Sequence, residues 1–250
     1  SAGGEQPKFC TIRNGQHVLV KFSPAGDSPT VQRTRDLLVC EHLALQTLDA
    51  AGLPAAQTQL FKVAGRVFLE SARFDRPAIS PDTLFNSFNP QGLGRQGMVS
   101  LQVYDAEYIG NEDNWAATAE RMQARGLLTA QDARHLCFLE AFGQLIANTD
   151  RHYGNISLLL EGSQNGGDWT LSPTYDMLPM LYAPVGGELV QRDFAVKNGI
   201  ITKLQPTSAT LPEWPRALAL AIQFWQTAAA DERISVAFRA IAAENSVKLA

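Results

Sequence analysis

N-T-D-R-H-Y-G-N, residues 148–155, is the stretch on which the reading of this chain turns. It sets Asp150, His152 and Asn155 close together, directly after apolar residues at helical spacing: Leu136, Leu139, Phe142, Leu145 and Ile146. A second acid, Asp176, follows two strand-like segments, residues 156–160 and 169–171. A hydrophobic core has no need of polar side chains at that density. Phosphoryl transfer does: one Asp orients and deprotonates an attacking hydroxyl, while an Asn and a second Asp hold Mg²⁺ against ATP phosphates. On this reading Asp150 is the catalytic base, and Asn155 and Asp176 are catalytic metal ligands. Taken singly, D-x-x-x-x-N also describes a capped turn, and Tyr175-Asp176 a turn ahead of Pro179. Their order and spacing together favour the metal site.

Working upstream, Lys21 ends the alternating run V-L-V-K-F, residues 18–22. A lysine there is either an exposed edge residue or an inward phosphate clamp. The D…N…D set downstream favours the clamp, with helix residue Glu41 as its candidate partner. A helix Glu that is merely solvated is the competing reading. Residues 1–8, S-A-G-G-E-Q-P-K, form neither a Walker A nor a G-x-G-x-x-G, yet Gly3-Gly4 let backbone N–H groups approach phosphates closely. His152 has three readings: a nucleotide contact, an orienter of its own loop, or a base. Phe74 in A-R-F-D-R reads as a cover for adenine or as a core residue, and the four scattered tryptophans as core.

The remaining sequence divides into a strand-rich part, residues 1–76, and a helix-rich part, residues 77–250. Asn14-Gly15 and Ala64-Gly65 sit between short apolar runs and predict two hairpins. Residues 23–34 read as a loop, and a helix is predicted over 34–51, stopped by Gly52 and Pro54. Residues 78–111 read as irregular, 114–125 as a helix, and Thr129 to Asp132 as a capping box opening the helix before Asn148. Residues 161–167 read as a turn and 177–210 as loop-rich, with two closing helices over 213–229 and 231–248. The chain begins at Ser1 inside a loop that reads as functional, without an initiator Met, and residues upstream are expected.

Composition narrows the class. With 45% hydrophobic and 18% charged residues this is an ordinary globular composition. A net charge of −4 argues against a surface dominated by nucleic-acid backbone contacts. The three cysteines, Cys10, Cys40 and Cys137, form neither a disulfide framework nor a zinc motif, so a reducing cytoplasm is the expected compartment. No long apolar span or signal peptide stands out, and no membrane contact is expected.

With these pieces assembled, the chain resembles the HipA family of bacterial serine/threonine kinases, the toxins of toxin–antitoxin pairs. S-A-G-G-E-Q-P-K resembles its phosphate loop, V-L-V-K-F its lysine strand, and Cys40-Glu41 with A-G-L-P its next element. A-R-F-D-R resembles its hinge, N-T-D-R-H-Y-G-N its catalytic loop, and L-S-P-T-Y-D-M-L-P its metal-binding segment. The resemblance implies an α+β, protein-kinase-like two-lobed fold with a strand-rich N-lobe and a helical C-lobe. It implies ATP and Mg²⁺ as cofactors, with Ser1, Ala2, Gly3, Gly4, Lys21, Phe74, His152 and Tyr175 at the nucleotide. It implies autophosphorylation of Ser1, a protein substrate of which glutamyl-tRNA synthetase is the known type, and a HipB-like DNA-binding antitoxin as partner.

The chain departs from the family pattern in three respects. The sequence begins at the phosphate loop, after the place where the family carries an additional N-terminal subdomain, Ser71-Ala72 stands where a hinge acid is common, and Arg151 adjoins the base. That arginine is expected to steady a phosphate or to lower the pKa of Asp150. A branch of HipA-like proteins with an N-terminal winged helix is sometimes described as regulators. Two other functions therefore stand beside the protein kinase: a small-molecule phosphotransferase, and a nucleotide-binding transcriptional regulator.

Overall fold

The computed structural model describes residues 6–76, 95–110, 113–161, 168–194, 196–197, 200–201 and 204–250. The glycine loop at residues 1–4 lies outside them, as does all but residue 161 of the turn expected over 161–167, and the proposed lobe boundary meets the undescribed stretch 77–94.

Strands β1 (Lys8–Arg13) and β2 (Gln16–Phe22) form the first predicted hairpin. Its turn residues Asn14 and Gly15 have φ of 50° and 77°, the left-handed pair that a type I′ turn requires. Strands β3 (Thr58–Val63) and β4 (Arg66–Ala72) form the second hairpin. The four strands make one antiparallel sheet in the order β1-β2-β4-β3.

Helix α1 (Pro29–Ala50) lies against this sheet and begins five residues earlier than the periodicity predicts. Ser28 caps it by accepting the Val31 N–H at 3.3 Å, and Pro29 takes the first position, where no backbone donor is needed. The prolines and glycine of 23–29 read as loop because the start signal and the loop signal use the same residues. Residues 95–110 are also more regular than expected. They hold β5 (Met98–Ser100) and α2 (Leu101–Tyr108), with Ser100 as the cap.

The second half follows the predicted order closely. Asn114 caps α3 (Trp115–Ala124), and Thr129 caps α4 (Ala130–Leu145) through the Asp132 N–H at 3.0 Å. Strands β6 (Ser157–Glu161) and β7 (Asp168–Leu171) join β5 in an antiparallel sheet of order β5-β6-β7. After a 3-10 turn at Met180–Tyr182 and the short pair β8 (Val196–Lys197) and β9 (Ile200–Ile201) come α5 (Trp214–Ala230) and α6 (Val236–Leu249). Among the described residues no helix is long and apolar enough to cross a membrane.

One core runs through the structure. Cys40, Leu43 and Leu48 of α1, Phe138 and Phe142 of α4, Phe224 and Trp225 of α5, and Phe238 of α6 belong to it and are buried. Each large side chain so buried contributes about 1.5–3 kcal/mol. On the opposite side of α1, Leu38 packs with Val67 and Leu69 of the sheet in a separate small cluster. Helix α1 is therefore shared: one stripe holds the sheet and another is embedded in the helical body.

Candidate active site

The candidate catalytic loop, residues 148–155, is delivered by the way α4 stops. The Asn148 N–H returns to Gly143 O at 2.8 Å and the Ala147 N–H to Gln144 O at 3.2 Å, with Ala147 at φ 59°. This is a Schellman ending with alanine in the left-handed position that glycine normally fills. The Trp225 indole adds a cap, donating to Leu145 O at 3.0 Å. The side chain of Asn148, fully buried, then accepts the Asp150 N–H at 3.0 Å and donates to Met177 Sδ at 3.4 Å.

Beyond it, D-x-H-x-x-N closes on itself. Asn155 Nδ2 donates to Asp150 O at 2.9 Å and to Asp150 Oδ2 at 3.3 Å. His152 Nδ1 accepts the Gly154 N–H at 2.9 Å, so the proton of the neutral ring is on Nε2, which lies 3.6 Å from Asp150 Oδ1. A Cβ on Gly154 would sit 2.8 Å from His152 Cε1, so the folded-over imidazole requires glycine there. Both carboxylate oxygens of Asp150 thus have a loop neighbour, yet its side chain remains 47% exposed and open to an incoming hydroxyl.

Arg151, which adjoins Asp150 in sequence, has its guanidinium partners elsewhere. It donates from Nε to Glu140 Oε1 at 3.0 Å and bonds Asn148 O. It crosses Gly143 so closely that a Cβ there would lie 2.6 Å from Arg151 Cδ. Glu140 Oε2 also accepts the Trp115 N–H at 3.3 Å, and the Trp115 indole donates to His152 O at 3.2 Å. Tyr153 OH accepts the Asp113 N–H at 2.6 Å and bonds Thr118. The loop is thus braced from behind by the start of α3. Glu140, Asn148 and the indole of Trp115 escaped the sequence reading. A lone acid and a glycine inside an apolar helix were the available signals.

The lysine site is built from charge. Lys21 Nζ donates to Glu41 Oε1 at 2.7 Å and Oε2 at 2.9 Å, and also pairs with Asp176 Oδ1. The side chains of Lys21 and Glu41 are only 7% and 4% exposed, which excludes the surface readings of both. Burial alone would lower the Lys21 pKa, but Glu41 and Asp176 outweigh it and hold the ammonium protonated. Burial pushes the Glu41 carboxyl up, against the pull of Lys21. Asp176 has φ 55°, a left-handed conformation that Asp tolerates better than most residues.

Tyr175 ties these parts together. Its hydroxyl lies 2.7 Å from Ser157 Oγ and donates to Gly154 O at 3.2 Å, joining the candidate metal segment to β6 and to the candidate catalytic loop. Its ring stands 5.9 Å from that of Phe74 in the hinge. Burial pushes the phenol up to about 12. In the hinge, Ala72 and Arg73 have their N–H groups committed to Gln57 O and His17 O, at 2.8 and 2.9 Å. The acid of this hinge is Asp75, which grips Arg73 at 2.6 Å and Arg76 at 2.9 Å.

The description "HipA-like C-terminal domain" matches residues 1–245. The chain belongs to this family. It is 37% identical over 254 residues to Toxin YjjJ of Escherichia coli K12, covering all of this chain and 52% of that protein. The chain thus spans about half the length of the curated relative it matches. Among solved structures it is similar to HipA of Shewanella oneidensis MR-1, determined with HipB and its operator DNA. The TM-score is 0.56 at 15% identity, over 100% of this chain and 63% of that one. It is also similar to CtkA, a proinflammatory kinase of Helicobacter pylori, with a TM-score of 0.59 at 14% identity over 98% of this chain and 89% of that one. At such identities the likeness is one of fold, and the fold is the kinase-like α+β architecture expected from the sequence.

Proposed function

We propose that this chain is the core of an ATP- and Mg²⁺-dependent serine/threonine protein kinase of HipA type, acting as a growth-inhibiting toxin in the cytoplasm. The observation that carries the reading is Lys21 held jointly by Glu41 and Asp176, with an accessible Asp150 in the adjoining loop. Asp150 takes the proton of a serine or threonine hydroxyl as that oxygen attacks the γ-phosphorus, and ADP leaves with the β–γ bridging oxygen. Lys21 steadies the nucleotide phosphates through its ammonium. His152, Tyr175 and Phe74 line the nucleotide, and Ser1, Ala2, Gly3 and Gly4 supply the phosphate loop.

The donor set suits Mg²⁺. Among the described residues no three His, Cys, Asp or Glu side chains converge as a metal cage. An Asn and an Asp suffice when phosphate oxygens and waters complete the shell, the usual manner in which proteins hold this ion. Asn155 commits Nδ2 to Asp150, leaving Oδ1 as its ligand atom, and Asp176 has Oδ2 to offer. Bound there, Mg²⁺ neutralises charge developing on the transferred phosphoryl group.

The substrate in this reading is a protein of the glutamyl-tRNA synthetase type, and the partner a HipB-like antitoxin. The similarity to a HipA determined with HipB supports that partner, and the net charge of −4 favours contact with operator DNA through it. The test is calorimetry of ATP binding to the full-length protein with and without Mg²⁺, beside Asp176→Ala. Binding should require Mg²⁺ and weaken about tenfold or more in the variant, ~1.4 kcal/mol. Absence of Mg²⁺-dependent binding, or unchanged affinity in the variant, would sink the reading.

A further inference from the structure

In kinases that are switched through the helix carrying the lysine's glutamate, that helix must be able to move. Helix α1, which carries Glu41, is instead fastened at a point far along the chain. Asp36, 1% exposed, accepts the Ser235 N–H on Oδ1 at 2.8 Å and the Ser235 hydroxyl on Oδ2 at 2.6 Å. Gln32 Nε2 donates to the same Oδ1 at 2.9 Å. One turn earlier, Arg33 donates to Tyr182 O at 3.0 Å and lies 4.9 Å from the centre of the Phe238 ring.

The same corner holds the segment that follows Asp176. Tyr182 OH receives a hydrogen bond from Asn245 of α6 at 2.8 Å, and its ring packs edge-on against Phe238 at 5.6 Å. Ser235 is itself the cap of α6, accepting the Phe238 N–H at 3.3 Å. Helix α6 therefore grips α1 on one side and the end of the metal segment on the other. Glu41 and Asp176, the two acids that Lys21 touches, are carried by these two gripped elements. Asp36 lies five residues from Glu41, about 7.5 Å along the helix axis, so a shift at one end is felt at the other.

We propose that Asp36 and Ser235 are positioning residues that hold Glu41 and Asp176 in fixed relation around Lys21. The lysine site is then assembled before any ligand arrives, and swinging of α1 is not how this protein is switched. The inference rests on the nucleotide reading above for its functional consequence, but its structural claim stands separately.

The experiment uses full-length protein carrying Ser235→Ala, Asp36→Asn, the hydroxyl-keeping Ser235→Thr, and as control Ser246→Ala on α6, whose hydroxyl bonds only Ala243 O of its own helix among the described contacts. Two quantities are read well below the melting transition: the rate at which an acylating reagent labels Lys21, and Mg·ATP affinity. Ser235→Ala and Asp36→Asn should raise Lys21 labelling and weaken Mg·ATP by about tenfold each, with Ser235→Thr and Ser246→Ala near the parent. Unchanged labelling in Ser235→Ala and Asp36→Asn overturns the proposal, as does faster labelling with undiminished affinity. If the parent protein binds no Mg·ATP, the nucleotide reading falls by itself. Labelling then decides alone: a rise supports the pin, and no change overturns it.

Discussion

Asp150 and Glu41 are both acids set beside a candidate phosphoryl group, and the protein holds them in opposite ways. Asp150 is half open to water, steadied by the side-chain amides of Asn155 and Asn148. Glu41 is buried against an equally buried ammonium. A group that must meet a substrate is positioned from behind by neutral hydrogen bonds and left accessible. A group that only orients another charge can be sealed away, and sealing it makes the pair hard to break. The expected division is of labour: the loop carries chemistry at little cost in stability, while the lysine site carries both.

The sharpest test is Asp150→Ala against Glu41→Ala. The first should lower phosphoryl transfer by about 10²–10⁴-fold while shifting folding free energy by less than ~1 kcal/mol. The second leaves the buried Lys21 with Asp176 as its one remaining acid and should destabilise the fold by about 3 kcal/mol, measured by denaturant unfolding. Equal stability losses in the two variants would break the comparison.

Tyr175 spans both regions, so its titration probes their junction. Its folded-state pKa, pushed up to about 12 by burial, exceeds the ordinary 10.0. The folded protein therefore keeps this proton when the unfolded chain has lost it. The resulting stabilisation is whole below pH 10 and disappears as pH rises through about 12, a fall of roughly 2–3 kcal/mol. Tyr175→Phe should remove one late step from the tyrosinate absorbance titration and flatten the alkaline fall in stability. Tyr182, also raised to about 12 by burial, and Tyr104, pushed up by burial as well, supply the remaining late steps.

The smallest effect is expected where the loop leaves α4. Ala147 occupies a left-handed position at φ 59°, and glycine bears that conformation without the Cβ clash. Ala147→Gly should stabilise the fold by about 0.5–1 kcal/mol in thermal unfolding. A loss of stability would show that the methyl's own packing outweighs its backbone strain.

How much was legible in advance differs from element to element. Hairpins at Asn14-Gly15 and Ala64-Gly65, the cap at Thr129, and the D-x-H-x-x-N run are written in local residue chemistry, and each appears where the pattern places it. The start of α1 at Pro29 was hidden because proline and serine serve both loops and helix starts. The partner of Arg151 was not legible, since adjacency in sequence points to Asp150 whereas the guanidinium finds Glu140 on α4.

Local sequence sets the turns and caps, the order of elements, and which side chains are candidates for chemistry, because these depend on neighbours within a few residues. Only the tertiary structure decided that Lys21 meets Glu41 and Asp176, that Trp115 supports His152 O, and that Asp36 meets Ser235. Those partners lie from 20 to 199 residues apart. A buried charge or hydrogen-bonding group must find its complement wherever packing brings one, and no local pattern specifies where that will be.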